Sequence, residues 1–145
     1  IWQTGKFYNQ KCVDSAKKYE TANIKIFDFI NEMDYAFAAA DIVITRAGAG
    51  TISELCLLKK SSILIPSPNV AEDHQTKNAM ALVEKDAAIL IKDASAKEQL
   101  ITRALMLAEN ENEMKKLSNN IFKLAIVDSD LIIAKEILKL CEKKF

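Results

Sequence analysis

"DIVITRAGAGTISELCLLKKSSILIPS", Asp41 to Ser67, decides the fold. An apolar run rich in β-branched residues, Asp41–Ala47, gives way to a glycine-bearing turn. Apolar residues at helical spacing follow over Thr51–Lys60, and then a second apolar run, Ser61–Ser67. Strand, turn, helix and strand in this order form a βαβ unit, and near-continuous Ile and Val mark strands covered on both faces. The same rhythm extends outward. Ile24–Ile30 (IKIFDFI) and Ala87–Asp93 (AAILIKD) are further strand candidates, and Ile1–Thr4 reads as the tail of a fifth. Asn31–Ala40 and Ala71–Lys85 have helical spacing, and Asn, Thr or Asp stand near the helix starts as prospective caps. After Asp93 three helices are expected, over Ser95–Glu111, Asn112–Ala125 and Ser129–Lys144. The expected fold is α/β: a doubly wound parallel sheet over residues 1–93 with C-terminal helices over 94–145.

Bulk properties narrow the function. At 145 residues the chain has the size of one domain, and half of it is hydrophobic, enough to bury a core. Twenty basic and twenty acidic residues leave no net charge, which gives no overall field to draw the chain to nucleic acid. Cys12, Cys56 and Cys141 are far apart and outside any CxxC pattern, so reduced, buried thiols are expected rather than a disulfide framework or a zinc site. No apolar run approaches the roughly 20 residues of a membrane span. The first residue is Ile, in mid-pattern, as expected of a chain continued upstream.

Doubly wound sheets bind ligands outside the carboxyl ends of their strands, and three segments occupy such positions. In the first, Arg46–Thr51, the glycines Gly48 and Gly50 would let a ligand approach the backbone and could take positive φ. The N–H groups opening the next helix suit phosphate, and Arg46 could add charged donors. An alternative stands beside this: Thr51 and Glu54 are spaced as a capping box, which would make the segment a well-capped turn. The second segment, Pro66–Ala79, holds both prolines of the chain and brings His74, Gln75 and Asn78 into the first turns of a helix, where they could read sugar hydroxyls; His74 could instead be a solvated or capping side chain. In the third, Ile30 and Met33 flank a strand-to-helix turn and would be core residues if taken alone.

Together FINEM, TRAGAGTISE and PSPNVAEDHQTKNA, in this order and preceded by WQTGK, resemble the C-terminal half of the bacterial MurG glycosyltransferases. The resemblance implies a GT-B architecture, two Rossmann-like domains facing each other, with this chain as the domain that holds UDP-N-acetylglucosamine. It implies transfer of N-acetylglucosamine to lipid I, forming lipid II, by a peripheral protein at the cytoplasmic face of the plasma membrane. Ile30 and Met33 would then lie at the uracil, and Gly48, Ala49, Gly50 and Thr51 at the diphosphate with Arg46 beside them. Glu54 would take the ribose hydroxyls, and His74, Gln75 and Asn78 the sugar. His74 stands where some members have glutamine, and Trp2 where many have histidine, so no contact is assigned to Trp2.

The resemblance places the acceptor domain and its proposed general base outside this chain, together with the first strand and loop of the donor domain. Residues 1–145 are therefore expected to contain no catalytic residue and, alone, to bind donor weakly and catalyse nothing. No cofactor or metal is expected, and the DxD of Asp128–Asp130 reads as the start of the last helix. Two alternatives differ in class. One is another GT-B nucleotide-sugar enzyme, a glycolipid transferase or an epimerase. The other is a non-catalytic nucleotide-sugar-binding subunit.

Overall fold

A computed structural model describes residues 1–19 and 23–142. The chain forms two compact units, Ile1–Ala40 and Asp41–Phe145.

The first unit contains β1 (Trp2–Gln3), α1 (Lys6–Ala16), β2 (Ile26–Phe27) and α2 (Met33–Ala39). β1 and β2 pair in parallel, Trp2 with Ile26 and Gln3 with Phe27. Thr4 prolongs the pairing, because its N–H and its hydroxyl both donate to the Phe27 carbonyl, at 2.9 and 3.1 Å. Gly5 turns the chain into α1 at a φ of 74°, which only glycine adopts without strain.

The second unit is built on three parallel strands, β3 (Ile42–Thr45), β4 (Ser61–Leu64) and β5 (Ile89–Leu90), in the order β3-β4-β5. β4 is central and buried throughout, its two serines as well as Ile63 and Leu64. The strands are connected by α3 (Ala49–Leu57) and by a 3₁₀ turn (Ala71–Asp73) leading into α4 (His74–Val83). Both helices end in Schellman geometry: Lys60 N–H donates to Leu55 O and Lys59 N–H to Cys56 O, and Ala87 and Asp86 repeat the pattern on Leu82 and Val83. The left-handed position falls on Lys59 and Asp86, not on glycine, which is why no glycine marks these ends in the sequence.

α5 (Asp93–Ala108) and α6 (Glu111–Phe122) cover one sheet face, where Ile63, Ile91, Leu107 and Leu117 form a buried cluster. α6 is tied to the strand layer by the buried Ser61, whose hydroxyl donates to Met114 O at 2.7 Å, and by Ser118 donating to Lys59 O. Asn110 caps α6: its side-chain oxygen accepts from the Glu113 N–H at 3.0 Å. α7 (Ser129–Glu142) follows, and Asp128 and Asp130 lie at its start as the sequence suggests.

Several expectations are revised. The strands lie in a two-stranded and a three-stranded sheet instead of one described sheet, and the run Ile24–Ile30 pairs only at Ile26 and Phe27. α1 has no counterpart in the sequence reading, and its one buried residue, Ala16, explains why no apolar stripe betrays it. The prospective caps of α2, α3 and α4 form no side-chain cap bond. Of the three thiols only Cys56 is buried, and burial pushes its pKa up; Cys12 is half-buried and Cys141 exposed. The last two residues of the expected final helix, Lys143 and Lys144, lie outside the described residues.

Candidate functional site

The loop after β3 is three residues long. Arg46, Ala47 and Gly48 join the strand to α3, whose first residues are Ala49, Gly50 and Thr51. The first backbone bond of the helix runs from Ile52 N–H to Gly48 O at 3.0 Å. The N–H groups of Ala49, Gly50 and Thr51 thus belong to the opening turn, which leaves its donors without intrahelical partners. Gly48 is the N-cap and supplies no side chain to satisfy them. The capping box is therefore excluded: Thr51 is the third helical residue and Glu54 the sixth, too far along for either to close the helix end.

The glycines serve a different purpose from the one their type suggests. Gly48 has an ordinary extended backbone, with φ −70° and ψ 144°, and Gly50 lies inside the helix. Only Gly5 among the glycines has positive φ. A Cβ added to Gly48 or Gly50 would meet nothing within 4 Å outside its chain neighbours and its own helix backbone. Neither backbone conformation nor packing within the chain requires glycine here, and the bare surface they leave lies in front of uncapped helix donors.

Arg46 is engaged within the protein. Its Nη1 donates to Ile65 O at 3.2 Å, to Pro66 O at 3.3 Å and to Asp93 Oδ1 at 2.5 Å. The expected sugar-reading residues themselves hold two loops: after β4, Gln75 Oε1 accepts from Ser67 N–H at 2.9 Å, and after β3, Asn78 Nδ2 donates to Ala47 O at 3.2 Å. Asn78 thereby holds α4 against the β3–α3 loop, so the expected diphosphate and sugar segments are joined directly. His74 opens α4, and its Nδ1 donates to Ala71 O at 2.6 Å, which leaves Nε2 as the outward acceptor. Glu54 is exposed on α3.

Just before His74, Glu72 and Asp73 both take left-handed conformations, φ 53° and 52°. Such backbone costs a non-glycine residue roughly 1–2 kcal/mol, and strain of this kind gathers at binding segments. Glu72→Gly relieves it but adds roughly 0.5–1 kcal/mol of unfolded-chain entropy. The expected net result is a gain of about 0.5 kcal/mol, measured as a higher midpoint in urea. An open cavity of about 500 Å³ lies beside this turn at the ends of β4 and β5, lined by Pro66, Asp73, Thr76, Lys92 and Asp93.

Ile30 and Met33 belong to the first unit. Ile30 N–H is taken by Gln3 Oε1 at 2.8 Å, and Ile30 lines a cavity of about 530 Å³ with Phe27, Phe29, Asn31 and Tyr35. Met33 is half-buried at the start of α2.

Residues 1–130 match the model of the glycosyltransferase family 28 C-terminal domain. The chain belongs to this family. The family 28 chain is 55% identical over 144 residues, 99% of its length, to the UDP-N-acetylglucosamine–N-acetylmuramyl-(pentapeptide) pyrophosphoryl-undecaprenol N-acetylglucosamine transferase of Bacteroides fragilis. It is 47% identical over 140 residues, 97% of its length, to the protein of the same name from Cytophaga hutchinsonii. It spans 38% and 37% of those proteins. The crystal structure of Acinetobacter baumannii MurG shares the fold, with a TM-score of 0.83 at 24% identity, covering 96% of this chain and 42% of that one. The α/β fold and membership of the family expected from the motifs are thus borne out.

Two features of these loops escaped the sequence reading. Asp93 read as the last residue of a strand, whereas it is the first residue of α5 and the ion-pair partner of an arginine 47 positions earlier. Gln75 and Asn78 read as ligand contacts only, and no local pattern signals that each also pins a loop.

Proposed function

We propose that this chain is the donor-binding domain, residues 1–145, of an inverting glycosyltransferase that moves N-acetylglucosamine from UDP-N-acetylglucosamine to lipid I, forming lipid II. The carrying observation is the opening of α3: uncapped helix donors at the end of a parallel strand, fronted by two glycines that the fold itself does not need. The diphosphate lies against the N–H groups of Ala49, Gly50 and Thr51. There the positive end of the helix stabilises charge on the departing UDP, the electrostatic part of catalysis that needs no metal. Glu54 accepts from the ribose hydroxyls. Gln75 and Asn78, each with one polar atom committed to a loop, present Nε2 and Oδ1 to the sugar, and His74 presents Nε2. Ile30 and Met33 serve the uracil.

Proton removal from the acceptor, lipid I binding and peripheral attachment at the cytoplasmic membrane face fall to the upstream domain and to the assembled protein. The chain spans 38% of the Bacteroides fragilis relative, which leaves room there for such a domain. The test is calorimetric titration of the protein carrying both domains with UDP-N-acetylglucosamine, UDP-N-acetylgalactosamine, UDP-glucose and ADP-glucose. Preference for the first is expected. Equal, negligible heats for all four would overturn the reading.

A further inference from the structure

The Arg46 guanidinium sits in a cage of three oxygens, and only one of them is charged. Ile65 O and Pro66 O are carbonyls just past β4, whereas Asp93 reaches in from the first residue of α5. A carboxylate is well placed there, because the first turn of a helix favours negative charge. We infer that Asp93 is a positioning residue: it locks Arg46 onto the end of β4, and this fixes the β3–α3 loop in the shape that receives the diphosphate. The inference rests on the donor-binding reading for its ligand, though not for the loop fixing itself.

Three observations carry it. The loop is only three residues long, so the direction of Arg46 governs the two residues that follow it. Its second anchor, Asn78 on the Ala47 carbonyl, is a single neutral hydrogen bond of 3.2 Å. The Arg46 and Asp93 side chains are 54% and 38% exposed, so without the carboxylate an arginine held by two carbonyls alone is free to turn to solvent. The pairing also means that Arg46 offers the ligand little unbalanced charge. Attraction for phosphate then comes mainly from the helix opening, and Arg46 acts on its shape.

Removing Asp93 has two effects of opposite sign, which makes the test decisive. Loss of positioning weakens nucleotide binding, whereas unmasking Arg46 would strengthen it. In the protein carrying both domains, Asp93→Ala is expected to weaken UDP binding about tenfold, the usual scale for losing one charge-assisted hydrogen bond. Asp93→Asn keeps an acceptor oxygen and should fall between, and Asp93→Glu should restore most of the affinity. The melting temperature should hardly move, since exposed ion pairs stabilise little. Without nucleotide, amide hydrogen exchange at Ile52, whose N–H is bonded to Gly48 O at the loop's end, should be faster in Asp93→Ala than in wild type. Unchanged or tighter UDP binding in Asp93→Ala, or unchanged exchange, would overturn the inference. A wild-type protein that does not bind UDP, with a loop that loosens in the variant, would overturn the donor reading and uphold the loop fixing.

Discussion

Gly50→Val is expected to abolish most UDP-N-acetylglucosamine binding while leaving the fold intact. A Cβ at Gly50 meets nothing within 4 Å outside its chain neighbours and its own helix backbone, so the substitution is not expected to disturb packing against the rest of the chain. Its backbone is helical, so valine is conformationally acceptable, and glycine itself costs a helix roughly 1 kcal/mol relative to alanine. Stability should stay level or rise slightly. The isopropyl group, however, stands over the N–H groups of the opening turn and keeps a phosphate from reaching them. Losing two hydrogen bonds to a charged group at roughly 1.5 kcal/mol each corresponds to about a hundredfold in affinity. Titration beside a thermal melt separates the two effects. A variant that binds UDP normally would remove this turn from the site, and one that melts many degrees lower would show that the glycine has a structural duty after all.

The alternation of short apolar runs with amphipathic stretches makes the three-stranded unit legible, because a strand buried on both faces is mostly apolar; in the buried β4 Ile63 and Leu64 follow this, while Ser61 spends its hydroxyl on Met114 O. Helices α5 and α6 are legible because their apolar stripes face Ile63 and Ile91. The first unit is less so. Ile24–Ile30 looks like a long strand, yet only two residues pair and Phe27 and Phe29 remain exposed, since hydrophobicity records what could be buried and not which backbone groups find partners. Helix α1 mixes polar residues around its circumference and buries one alanine.

At the site, glycines, arginine and carboxylate are visible as types, but their duties depend on contacts distant in sequence. TxxE is a sound local signal for a cap. Here it fails because the helix begins three residues earlier than a cap at Thr51 requires, with Gly48 at the N-cap and Ala49 as its first residue. Arg46 looks like a phosphate donor in the sequence, while the partners of its Nη1 come from Ile65, Pro66 and Asp93, which no local pattern links to it.

With the capping box gone, Glu54 has no part in closing α3, and its substitution becomes a clean probe of the ribose contact. Glu54→Gln keeps length, shape and helix preference, since both residues are good helix formers. What changes is the charge and one of two acceptor oxygens. If Glu54 accepts from two adjacent hydroxyls, the ionised pair of bonds is worth roughly 2 kcal/mol more than the neutral amide can supply. Affinity for UDP-N-acetylglucosamine should therefore fall about thirtyfold, with the melting temperature within about a degree of wild type. Loss of the 2′-hydroxyl from the ligand provides the matching control. Wild type should discriminate against 2′-deoxy-UDP and Glu54→Gln should do so much less, because the residue that reads the hydroxyl has already lost its grip. Equal discrimination by both proteins would assign the ribose to another residue, and an unchanged affinity in Glu54→Gln would leave Glu54 as a solvated helix position.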